Sequence, residues 1–105
     1  MMATDPLLRR LARSARVLRL EIEDLLARSL APDDVKLKAG YREAVRRLYE
    51  IEQDAIVGGT AQLPALFRGL SDLLPSRTQA GREFAAVAAE VSRREARRFR
   101  SEEEA

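Results

Sequence analysis

Apolar residues recur along this chain at alternating spacings of three and four, the period that gathers side chains on one side of an α-helix. Leu8, Leu11, Ala15, Leu18, Ile22, Leu25 and Ser29 follow that rule, and Leu7, Leu26 and Leu30 widen the stripe. Asp5-Pro6 predicts its start, because aspartate can accept from the free N–H groups of a first turn and proline at the first helical position has no N–H to leave unpaired. At Ala31-Pro32-Asp33-Asp34 the pattern breaks and restarts: proline disfavours helix at the residue before it, and either aspartate can cap a second helix. Leu37, Tyr41, Ala44, Leu48, Ile51 and Ala55 repeat the seam from about Asp34 to Val57, flanked by Val45 and Ile56, until Gly58-Gly59 stops it. So short a connection predicts an antiparallel hairpin of two long helices.

A shorter third helix fits Leu63, Leu66, Phe67, Leu70, Leu73 and Leu74, with Pro64 near its start and Pro75 at its end. Ser76-Arg77-Thr78-Gln79 has the S-x-x-Q form in which hydroxyl and amide satisfy each other's backbone donors, predicting a fourth helix from there. Ala80, Phe84, Val87, Ala88 and Val91 are its buried stripe; beyond Val91 only Ala96 and Phe99 interrupt a run of arginines. The expected fold class is therefore all-α, a small helical bundle built on the long hairpin plus a short third and a longer C-terminal fourth helix. Residues 1–105 read as one domain, with a core over about 6–92 and an Arg-rich, then acidic, tail over 93–105 that is exposed helix or partly disordered.

Composition adds that this core is small. Hydrophobic residues are 46% of the 105, but aromatics are only 5%, so a lone chain buries modest apolar area. Self-association or a partner protein is expected to supply the rest. The seam residues Leu11, Leu18, Leu25, Leu37, Leu48 and Ile51 are the expected self-association set.

Charge is balanced overall, 19 basic against 17 acidic, and unevenly laid out. The first helix begins with Arg9, Arg10, Arg13, Arg16 and Arg19 and ends with Glu21, Glu23 and Asp24; the second begins with Lys36, Lys38 and Arg42 and ends with Glu50, Glu52 and Asp54. Folded at Pro32, Glu23 and Asp24 come level with Lys38, and Arg9 and Arg13 with Asp54 and Glu50. That matching selects orientation more than it stabilises, since each exposed pair is worth ~0.2–1 kcal/mol. The later cluster of Arg93, Arg94, Arg97, Arg98 and Arg100, with Phe99 among them, is less fully compensated. In an up-down-up-down bundle it shares a pole with the start of the first helix, where it would meet nucleic acid or an acidic partner surface. Arginine also suits a helix C-terminus through the macrodipole, which needs no ligand.

The catalytic inventory is thin. With no Cys and no His, thiol nucleophiles, thiolate metal sites, disulfides and the commonest general base are excluded. An oxygen-only metal site from Glu21, Glu50 and Glu90 would need inward carboxylates that the stripes do not supply. Gly58-Gly59-Thr60 is too short for a phosphate loop. Arg77, Thr78, Gln79 and Arg82 would be the reading residues of a helix-turn-helix formed by the third and fourth helices. Tyr41 belongs to the seam, and Tyr49 is the tyrosine open to a partner. No catalytic, cofactor-binding or metal residue is expected, nor a small-molecule substrate.

The first residues lack the apolar run of a signal peptide, and no stretch approaches the ~18 apolar residues of a membrane span, so a cytoplasmic chain without membrane contact is expected. These features point to a non-enzymatic, self-associating helical adaptor, regulator or assembly protein, a homo-oligomer working through another protein. The alternative is a nucleic-acid-binding protein using the basic pole with little sequence preference, such as a phage-like DNA-packaging subunit.

Overall fold

The computed structural model describes residues 5–28, 34–74 and 78–104, with side chains as far as Arg98. The fold is all-α, and the long helix pair expected from the seams is its frame. Helix α1 spans Pro6–Ala27, with Asp5 as N-cap accepting from the Leu7 amide at 2.9 Å. Helix α2 spans Val35–Val57; the Asp34 carboxylate accepts from the Leu37 amide at 3.0 Å, and Gly58 ends the helix in the left-handed region at φ 78°. The connection itself lies outside the described residues.

Helix α1 packs against both α2 and α4, the latter spanning Gln79–Glu104. Three contacts fix the directions. Arg94 in the second half of α4 pairs with Asp5 at the start of α1, 2.6 Å apart, and Arg10 reaches Glu90 at 3.5 Å. Just past the end of α2, Thr60 donates to Glu95 at 3.4 Å. The beginning of α1, the end of α2 and the later part of α4 therefore share one pole, so α1 runs antiparallel to both neighbours. The buried cluster lies between them, with Leu11, Ala15, Leu18, Ile22, Ala44, Leu48, Ile51 and Ala55 sealed from solvent.

The third segment departs from the expected single helix. It divides into α3, Leu63–Phe67, and a 3-10 turn, Leu70–Leu73, because Gly69 adopts a left-handed φ of 70° between them. Arg47 holds the break by donating to the Arg68 carbonyl at 2.6 Å. The detour still delivers the expected apolar side chains: Leu63 and Leu70 are buried, and Phe67 meets Phe84 of α4 edge to face at 6.2 Å. The start of α4 is also shifted. Thr78 accepts from the Gly81 amide at 3.0 Å, as the cap of a helix that begins at Gln79, while Gln79 turns to Glu83; Ser76 and Arg77 lie outside the described residues. The buried stripe of α4 is Ala80, Phe84, Val87 and Val91, with Ala88 half-buried, and its backbone stays helical to Glu104. Among the described residues no helix is long and apolar enough to cross a membrane.

Candidate functional site

Charge pairing runs mostly along helices rather than across the hairpin. Glu23 pairs with Arg19, Asp24 with Arg28 and Glu50 with Arg46, each four residues apart. Side chains at that spacing already lie about 5–6 Å apart at their Cβ atoms, whereas a partner across the hairpin must also occupy the facing edge. The expected matches of Lys38 with Glu23 and Asp24, and of Arg9 and Arg13 with Asp54 and Glu50, are not formed among the described residues. A single ion pair crosses from α1 to α2 among them: Arg19 to Glu52, 3.4 Å, both largely buried. The Arg19 guanidinium also lies 5.7 Å from the Tyr49 ring, which is itself 52% exposed. Glu43 is held by two neighbours on its own helix. Hydrogen bonds from Arg46 and then Arg47 lower its carboxyl to about 2, against a small opposing effect of burial.

The basic pole exists and is partly neutralised. Arg94 is tied to Asp5 and Arg98 to Glu95 at 3.4 Å. Burial raises the Asp5 carboxyl, but the Leu7 amide and the Arg94 charge outweigh it and hold it below the ordinary range. Arg93 and Arg97 are exposed, as are Arg9 and Arg13, and none of the four has a carboxylate within ion-pair distance among the described residues. Arg9, Arg10, Arg13 and Pro6 line an open cleft at this pole. The side chains of Phe99 and Arg100 lie outside the described residues.

A second groove continues from the first along the seam between α1 and α4. Arg10, Arg13, Ser14 and Val17 form one wall, and Ala80, Glu83, Ala86 and Val87 the other. Val17 is 49% exposed, as is Leu20 one turn further on. The sequence pattern passes over this pair because neither falls on the buried stripe; the clue is their three-residue spacing on the opposite side of the same helix. The expected self-association residues are placed differently. Leu11, Leu18, Leu48 and Ile51 belong to the chain's own core, so a second copy would reach them only by parting α1 from its neighbours. Leu25 is half-buried, and Leu37 is exposed near the start of α2.

The chain matches no family model, no curated protein and no solved structure. Function therefore rests on the surface. Glu21, Glu50 and Glu90, weighed as an oxygen-only metal set, are dispersed: Glu50 bonds Arg46 and Glu90 bonds Arg10. No group of three acidic residues able to hold a metal occurs among the described residues. Gly58 serves as the helix stop. Of the residues considered for reading DNA, Thr78 caps α4, Gln79 bonds Glu83, and Arg82 is exposed at a helix start preceded only by a five-residue helix and a 3-10 turn.

Proposed function

We propose that this protein is a non-enzymatic helical adaptor that works through protein contacts and self-associates. The supporting observation is the outer side of α1. There, Val17 stands half exposed at the groove shared with α4 and Leu20 half exposed one turn further on, although the chain has already enclosed a core of its own. Half-exposed aliphatic side chains beside a groove, flanked by charge, have the anatomy of an interface core with a polar rim. Most of the ion pairs among the described residues stabilise helices locally, which suits a scaffold whose apolar faces make the contacts. Light scattering across a dilution series tests the proposal. The mass should rise with concentration from one chain towards two; a mass fixed at one chain up to ~100 µM, where a dimer with a Kd of ~1 µM would be nearly complete, rejects self-association.

The cleft at the basic pole favours a second reading, a polyanion-binding protein. Arg9, Arg13, Arg93 and Arg97 would neutralise phosphates, and log affinity for duplex DNA would then fall with log salt at a slope of about 3 to 4. Replacing those four with alanine should abolish the dependence. Binding that ignores salt, or no binding even at about 50 mM salt, rejects this reading.

A further inference from the structure

Helix α1 carries a second stripe, opposite the buried one: Arg13, Val17, Leu20 and Asp24, at spacings of four, three and four. At about 100° per residue these four lie within about 60° of one another, the width of a single helix-packing seam. All four are exposed, Val17 and Leu20 to 49% each. The order of character along the stripe is cation, apolar, apolar, anion. Reversed end to end, it becomes anion, apolar, apolar, cation, its own complement. An isologous contact brings the same patch from two copies together about a two-fold axis, and antiparallel helices are one way to meet it.

From this juxtaposition we infer that the outer face of α1 is the dimer interface: two copies pack antiparallel with Val17 of each on Leu20 of the other and Arg13 of each beside the other's Asp24. The inference rests on the self-association reading above and supplies its geometry. Register is set by the residues alone. Each of the four has its complement at the mirror position about a point between residues 18 and 19, so one offset satisfies both layers at once. Shifting either copy by a turn sets Arg13 against Leu20 in one direction and Asp24 against Val17 in the other, so that a charged side chain faces an apolar one and Val17 no longer meets Leu20. The groove walled by Ala86 and Val87 of α4 flanks Val17, giving the mate's apolar pair something besides α1 to cover. In a single chain Asp24 is bonded to Arg28 at 3.2 Å, but with the two side chains 57% and 78% exposed that pair is weakly held and open to exchange. Arg13 has no such partner among the described residues.

The same symmetry makes a charge-complementation test possible. Arg13→Glu sets a carboxylate against Asp24 twice in its own dimer, and Asp24→Arg sets a second guanidinium against Arg13 twice. Each variant alone should dimerise at least about tenfold more weakly than the natural chain, since each substitution acts on both halves. An equimolar mixture relieves both repulsions in a mixed pair, and the double variant R13E/D24R restores both attractions in its own dimer. Sedimentation velocity at low salt reads these four samples beside the natural chain, with circular dichroism confirming unchanged helix content. Weakened single variants with dimer recovered in the mixture and in the double variant support the assignment. Single variants that dimerise as strongly as the natural chain, or a mixture no better than its components, overturn it while leaving self-association through another face intact. A natural chain that is monomeric throughout instead removes the self-association reading on which the inference rests.

Discussion

Glu43 is the residue whose environment is most altered. Its carboxyl accepts from Arg46 at 2.6 Å and from Arg47 at 2.9 Å, which stabilises the ionised form. A folded value of about 2 lies below the 4.5 of a free glutamate, so the unfolded chain binds its proton first as pH falls. The contribution is complete above pH 4.5, shrinks below it and is lost as pH passes through about 2. Because the side chain is 35% exposed, solvent screening keeps its worth to no more than ~1 kcal/mol. Glu43→Gln should lower stability slightly at neutral pH and flatten the decline between pH 4.5 and about 2 in urea titrations; an unchanged acid limb would contradict this. Arg19 and Glu52 act differently, as the largely buried pair between α1 and α2, with side chains 17% and 10% exposed. Arg19→Ala leaves the Glu52 carboxylate enclosed without its partner and should cost about 3 kcal/mol, whereas Arg19→Met with Glu52→Leu should come close to neutral. Equal losses in both variants would show that packing, not charge, sets the cost.

The elements were legible in the sequence where a signal had no local rival. The buried stripes of α1 and α2 and their Asp5 and Asp34 caps are periodicity and capping chemistry working alone. The third segment misled because its leucines suit helix spacing throughout, and only Gly69 marks the break; one glycine inside a helical pattern costs ~1 kcal/mol, too little to decide without the tertiary bond from Arg47 to the Arg68 carbonyl. At α4 two hydroxyl residues compete as caps two positions apart, and the structure uses Thr78. Thr78→Ala should therefore cost about 1 kcal/mol in thermal unfolding; an unchanged transition would contradict the cap. Charge was the least legible layer, since periodicity does not say whether a carboxylate bonds four residues along its own helix or reaches across. Arg19 does both, bonding Glu23 on its own helix and Glu52 on the next.

Across the whole molecule, extents of 54 × 25 × 20 Å and a radius of gyration of 14.8 Å describe a rod rather than the ~13 Å sphere-like domain of similar length. A rod has much surface for its volume, and α1, flanked by α2 and α4, keeps one long side bare. The sequence indicated a core too small for one chain and assigned self-association to the leucines that fill it. In the structure Leu11, Leu18, Leu48 and Ile51 close the core of one chain, and Val17 and Leu20 are the large apolar side chains of α1 left exposed among the described residues. Under the proposed dimer, folding and joining are separate events on opposite sides of one helix. Sedimentation equilibrium on Val17→Asp/Leu20→Asp, with a thermal melt of the same sample, tests that separation most directly. The expected result is a single-chain mass at every concentration, with native helix content and a melting temperature that does not change on dilution. A variant that still forms the natural chain's dimer, or that loses its helices along with it, would contradict the separation of folding from joining.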